Sequence, residues 1–105
     1  MIELTKDNFE EEVLKAAGKV FVDFCGDGCV PCEALKPFVH ACADKYGDKM
    51  KFGMLNTTKA RRFAISQKVL GLPTMTIYEN GEKVEELIKD DATEANIEAM
   101  INRHI

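Results

Sequence analysis

The run Val20-Phe21-Val22-Asp23-Phe24-Cys25 is apolar at every position but one. Successive side chains of a strand point to opposite faces of the sheet, so this run buries itself only where both faces are covered. It reads as a central strand with helices packed on two sides. The chain has 105 residues, 46% of them hydrophobic and 30% charged. That is enough for one α/β domain over 1–105 with a real core, and leaves little room for a second domain. Asp23 is the anomaly in the strand, because a buried carboxylate is costly unless it is paired or used.

Two periodicities alternate around that strand. Thr5 reads as a helix N-cap, with Leu4 and Phe9 forming a hydrophobic staple. Phe9, Val13, Leu14 and Ala17 recur at helical spacing up to Gly18, a natural stop. After Gly26 and Gly28, a long helical pattern runs from about Cys29 to Tyr46, with Leu35, Phe38, Val39 and Cys42 on one stripe and Pro37 inside it. Met50 to Asn56 reads as a strand and Ala60 to about Lys68 as a short helix. Thr74–Glu79 and Lys83–Ile88 flank Asn80-Gly81, a strong two-residue hairpin signal. Asp91 or Thr93 caps a last helix that buries Ile97, Met100, Ile101 and Ile105. The order is β-α-β-α-β-α-β-β-α, with parallel pairing early and an antiparallel hairpin at the end.

The chemistry concentrates at Gly28-Cys29-Val30-Pro31-Cys32-Glu33. A Cys-x-x-Cys that follows a strand and opens a helix is a dithiol redox signature. The unpaired N–H groups and positive dipole end of the helix face the first cysteine and favour its thiolate. Pro31 fits the first turn, where its missing N–H has no partner to lose. Cys29 is thus expected to attack a substrate disulfide, and Cys32 to resolve the mixed disulfide. Asp23, on the strand that leads into this turn, would titrate high if buried and could exchange a proton with Cys32; the alternative is a structural acid bonded to backbone. A third element is Gly71-Leu72-Pro73-Thr74. A cis peptide before Pro73 would turn neighbouring backbone groups outward, toward an extended substrate chain.

Charge and hydropathy exclude other classes. Fourteen Lys and Arg against 18 Asp and Glu give a net charge of −4, with no basic stripe for nucleic acid. No apolar run approaches the roughly 20 residues of a membrane span. The start, Met-Ile-Glu-Leu-Thr-Lys-Asp, shows no export signal, so a reducing cytoplasmic setting is expected.

Val22-Asp23-Phe24, Cys29-x-x-Cys32, Pro37, Leu72-Pro73-Thr74 and Asn80-Gly81 together resemble the thioredoxin family in kind, order and spacing, over essentially the whole chain. The resemblance implies a mixed central sheet of about five strands flanked by four helices on both faces. It implies Cys29 as exposed nucleophile, Cys32 as resolver, Asp23 as buried proton acceptor and a cis Pro73 facing the disulfide. It further implies a substrate groove around Gly28, Val30, Pro31, Gly71, Leu72 and Pro73. A flavin-containing thioredoxin reductase would supply electrons and disulfide-containing client proteins would accept them. The dithiol would be the redox centre, with no metal or organic cofactor, and the chain would be a monomer.

The departures from that pattern are concentrated at the same site. Gly28 and Cys25 stand where the family usually carries Trp, which should open the groove. Val30 stiffens the spacer. Glu33 brings a carboxylate where Lys is usual and should raise the thiol pKa values. Met54 replaces a Lys beside the buried acid, and the usual groove-lining Gly is missing near Lys89-Asp90.

Rival readings keep the same residues. Cys25-x3-Cys29-x2-Cys32 spells an iron–sulfur spacing, but those enzymes need a far larger barrel. Cys25, Cys29, Cys32 and Cys42 could be a zinc site, against which Cys42 lies on an apolar helix stripe. A non-catalytic binding or chaperone module, or a disulfide oxidant or isomerase, would use the same fold. Cys25 is either a core residue or a second reactive thiol. His40 and His104 read as solvated or packed. Lys59, Arg61, Arg62 and Lys68 read as an exposed basic face, and Met75 either lines the groove or packs.

Overall fold

The computed structural model describes all 105 residues. Five strands form one sheet in the order β1-β3-β2-β4-β5. They are β1 (Ile2–Leu4), β2 (Lys19–Cys25), β3 (Lys51–Asn56), β4 (Thr74–Glu79) and β5 (Glu82–Ile88). The helices are α1 (Val30–Tyr46), α2 (Arg61–Ser66) and α3 (Glu94–Arg103), with a wide single turn at Glu10–Leu14 between β1 and β2. β1 is the leading strand of the expected order.

β2 is the central strand, buried from Val20 to Cys25. It pairs parallel with β3 on one side and antiparallel with β4 on the other. Its alternation divides the core. Phe21 belongs to the cluster under α1 and α3, with Leu35, Val39, Ile97 and Met100. Val20, Val22 and Phe24 belong to the cluster under the Glu10–Leu14 turn and α2, with Phe9, Val13 and Ala64. Asp23 and Cys25 therefore share the face covered by α1.

The hairpin is as expected. Asn80 and Gly81 both have positive φ, 51° and 86°, between the paired residues Glu79 and Glu82. That is the left-handed pair of a type I′ turn. Thr93, rather than Asp91, caps α3, its hydroxyl accepting the Asn96 N–H at 3.1 Å.

Two expectations are corrected. The first helix is shorter and wider than the spacing of Phe9 to Ala17 suggests. Thr5 does cap it, accepting the Asn8 N–H at 3.2 Å while Asn8 Oδ1 accepts the Thr5 N–H at 2.6 Å. The coil then closes with a wide bond from the Lys15 N–H to the Glu10 carbonyl and ends. The cause is tertiary. The hairpin tip lies against this end so closely that a Cβ on Gly81 would collide with the Leu14 carbonyl. Asn80 also clasps Gly18, with N–H···O bonds of 2.9 Å in both directions. Ile105 is the second correction. It lies beyond α3 and is 45% exposed, because the chain leaves the helix stripe at His104, whose ring meets Glu85 at 2.8 Å.

Phe9 anchors the turn at the greatest depth. It is fully buried and meets Phe63 edge-on at 4.9 Å, Tyr78 at 5.7 Å and Phe24 at 6.0 Å. Phe9→Ala should cost about 3–5 kcal/mol in urea unfolding, the range for an aromatic lost from a close-packed core. A loss below about 1 kcal/mol would mean that the turn does not hold this side of the sheet.

Candidate active site

β2 ends at Cys25, and the chain crosses Gly26 to Gly28 into the first turn of α1. The crossing is pinned to the end of β3. The Asp27 N–H donates to Thr58 Oγ1 at 2.9 Å, Asn56 Nδ2 donates to Asp27 Oδ1 at 3.0 Å, and the Thr57 hydroxyl donates to the Cys25 carbonyl at 2.9 Å. Sequence reading missed these anchors, though Asn-Thr-Thr after a strand is the kind of run that bonds its own backbone. Cys29 is the N-cap of α1, with its sulfur facing the Cys32 N–H at 3.4 Å. Val30 and Pro31 fill the first turn, both exposed, Val30 to 77%.

Cys29 and Cys32 are joined as a disulfide, with Cα atoms 5.2 Å apart. Their exposures differ. Cys29 is half-buried at the surface, while Cys32 is 1% exposed at the head of the buried stripe that continues through Leu35, Val39 and Cys42. That stripe faces the sheet side carrying Phe21, Asp23 and Cys25.

Asp23 is 1% exposed, and neither carboxylate oxygen has a hydrogen-bond partner. A structural acid bonded to backbone is therefore not what the fold contains. Burial pushes its pKa up to about 7, and the Lys36 ammonium on α1 pulls weakly the other way. Met54 lies directly opposite Asp23 in the β2–β3 register, so β3 places no cation at that position. Glu33 is exposed and acts on Cys25 in the expected direction, raising its thiol pKa as a minor contribution beside burial. It pairs with Lys36 at 3.0 Å along the helix.

The cis-proline expectation holds: the Leu72–Pro73 peptide is cis. The antiparallel β2–β4 register brings Thr74 opposite Phe24, which sets Pro73 at the end of the sheet from which α1 begins. Leu72 packs over Gly26 closely enough that a Cβ there would meet its Cδ1 at 2.9 Å. The Thr74 hydroxyl donates to the Gly71 carbonyl at 2.7 Å, and the Pro73 carbonyl accepts the Lys89 N–H at 2.8 Å. The N–H and carbonyl of Leu72 make no hydrogen bond within the chain.

Gly28 is exposed with φ +74°, and a Cβ there would meet nothing within 4 Å. Space is open beside the disulfide, as expected, but the backbone is left-handed. A side chain at Gly28 therefore costs stability as well as altering the groove. Exposed apolar residues, Leu70 at 81% and Ile88 at 40%, flank the cis-proline loop. Nothing in the sequence distinguished them from core residues. Met75 packs and does not line the groove, being fully buried.

The remaining cysteines are quiet. Cys25 is 5% exposed and Cys42 3%, and burial pushes both thiols up to about 11. The four sulfurs do not assemble into a ligand set, and no group of three or more His, Cys, Asp or Glu is gathered elsewhere. His40, Cys25, Lys36 and Met54 border a cleft of about 500 Å³ between α1 and the β1 edge. Neither active-site cysteine lines that cleft, and Cys29 reaches the surface beside the exposed Gly28, Val30 and Pro31. Deep concave pockets suit small molecules, whereas an open disulfide suits one carried on another protein.

A redox-active cysteine pair at a helix N-terminus, a buried lone acid beneath it and a cis-proline loop alongside define a thiol–disulfide oxidoreductase. The sequence model of the thioredoxin family matches residues 1–103. The thioredoxin of Peptoclostridium acidaminophilum is 57% identical over 105 residues, covering 100% of this chain and 96% of that protein. The thioredoxin of Acetoanaerobium sticklandii is 54% identical over 105 residues, covering 100% of both. The thioredoxin of Gallus gallus is 43% identical over 81 residues, 75% of each chain. The chain belongs to the thioredoxin family and is a protein disulfide reductase of that family.

The pH dependence of stability follows from Asp23. Its folded pKa of about 7 lies above the ordinary 3.8, so the folded protein keeps a proton that the unfolded chain releases. The stability of neutral Asp23 is full below about pH 4 and is lost as pH rises through 7. Asp23→Asn should match the parent at pH 4 and exceed it above pH 7 by up to about 4 kcal/mol in urea unfolding. Equal stabilities at pH 8 would show that the carboxylate is solvated.

Proposed function

We propose that residues 1–105 act as one reducing thioredoxin domain in which Cys29 is the nucleophile, Cys32 the resolver and Asp23 the proton acceptor. The observation that carries the assignment is the difference in burial across one disulfide, with Cys29 reachable from solvent and Cys32 sealed against the sheet face that holds Asp23. The reduced Cys29 thiolate attacks one sulfur of a client disulfide. A Cys29–client S–S bond forms, and the client's other sulfur leaves as thiolate and takes a proton from water. Cys32 then gives its proton to the Asp23 carboxylate and attacks Cys29 Sγ. The mixed disulfide breaks, the client's second sulfur leaves, and the Cys29–Cys32 disulfide seen in the structure remains. Two electrons have passed from protein to client.

An acid with pKa near 7 suits this exchange, since it takes a proton and returns it at neutral pH. The client's extended chain lies across Gly28, Val30, Pro31 and Gly71 to Pro73, with the free N–H and carbonyl of Leu72 as its backbone partners. No metal or organic cofactor enters this cycle. A flavin-containing thioredoxin reductase returns the two electrons, in keeping with the family's general electron supply, and client proteins are the acceptors. The monomer is the working form, and the cytoplasm the compartment that keeps such a reductant reduced. No helix is long and apolar enough to cross a membrane.

Trapping tests the roles. Cys32→Ser should accumulate covalent mixed disulfides with client proteins, while Cys29→Ser should accumulate none on non-reducing gels. Equal trapping by both variants would reverse or abolish the assignment. Asp23→Asn should slow turnover near pH 7 by roughly 100-fold, the low end of what a positioned base contributes. A pH–rate profile superimposable on the parent's would remove Asp23 from the cycle.

A further inference from the structure

Lys89 occupies an unusual backbone position. It follows β5 with φ +53°, one of three residues other than glycine with positive φ. That conformation is unfavourable for a side chain with Cβ, by about 1–2 kcal/mol. It is held there from outside: the Lys89 N–H donates to the Pro73 carbonyl at 2.8 Å, and the pairing of Thr74 with Ile88 fixes the strand that delivers it.

The same geometry lays the side chain over the cis-proline loop. The Lys89 methylenes run across Gly71, with Cγ and Cδ each 3.2 Å from where a Gly71 Cβ would stand and Cε nearer still. Nζ is one bond further along that line. It belongs to no ion pair, and the adjacent exposed Asp90 and Asp91 carboxylates do not reach it. Of the acids near the disulfide, Glu33 is paired with Lys36 and Asp27 accepts the Asn56 amide. An unpaired ammonium is thus carried across Gly71, next in the chain to Leu72, whose N–H and carbonyl are free to pair with a client chain.

Resting on the reductase reading above, we propose that Lys89 is a specificity-determining residue that favours clients bearing a carboxylate side chain next to the cysteine under attack. An extended chain paired with Leu72 carries its neighbouring side chains past Gly71, where the ammonium stands. A carboxylate there forms an exposed ion pair and a lysine is repelled. The bond to Pro73 positions the cation, and the left-handed backbone lets it lie across the loop instead of standing away from it.

The test uses three disulfide-linked peptides that differ only in the residue after the attacked cysteine, Glu, Gln or Lys. Each is mixed with dithiothreitol-reduced protein, freed of reductant, and the second-order rate is followed by stopped flow. This omits the reductase, so only client recognition is read. The parent should react in the order Glu over Gln over Lys, with roughly threefold to fivefold between neighbours, and the spread should shrink at about 0.5 M salt. Lys89→Gly, which keeps the left-handed backbone, should bring the three rates together, and Lys89→Glu should invert their order. A Lys89→Gly variant that keeps the parent's order would overturn the proposal. So would one that speeds all three peptides equally, since Lys89 would then be only a steric cover. A parent that reduces none of the peptides would overturn the reductase reading, and this inference with it.

Discussion

Everything near the disulfide depends on β2 being paired along both edges and covered on both faces. A strand so enclosed has no freedom of register, because a slip of one residue would exchange Phe21 and Asp23 for Val22 and Phe24 between the two cores. The end of β2 is therefore a fixed point. From it the chain crosses Gly26 to Gly28 and starts α1, and the antiparallel neighbour β4 starts beside it at Pro73. Cysteine pair and cis-proline loop are far apart in sequence, Cys32 against Gly71 to Pro73, but adjacent because the end of β2 lies beside the start of β4.

The same enclosure explains the electrostatics. Asp23 is buried on the sheet face under α1, and the residue across the β3 ladder is a methionine. With no hydrogen-bond donor within reach, desolvation alone dominates its titration. Lys36 acts from the helix side, but its ammonium is tied to Glu33 in a solvent-exposed pair. A carboxylate that spends stability on being ionised is a poor structural element and a serviceable proton carrier.

Much of this was legible in the residues because the governing forces are local or periodic. An unbroken apolar run forces a central strand, Asn-Gly forces a tight hairpin, and two cysteines three apart at a strand-to-helix junction force a site. What was not legible is set by contacts between distant segments. The first helix stops early because the hairpin tip occupies the space it would use. The cis state of Pro73 is a tertiary choice, as most X-Pro bonds are trans. Lys89 in a left-handed conformation has no signal in its own residue type, since its backbone is bonded to Pro73 across the strand gap; the one hint is the Gly the family usually carries near Lys89-Asp90. The pairing of Glu33 with Lys36 is legible in the residues, being an i, i+3 pair on a helix.

The two buried thiols carry a further consequence. With Cys25 and Cys42 pushed to about 11, only about one in ten thousand of either is thiolate at pH 7. Peroxides and stray disulfides react with thiolates, so neither sulfur competes for them. Of the four cysteines, only Cys29 reaches the surface, and it is already joined to Cys32 three residues away. Among the cysteines, the fold thus directs oxidation to the one position where it ends in a reversible bond, and a carrier built this way can meet a thiol oxidant and still be regenerated.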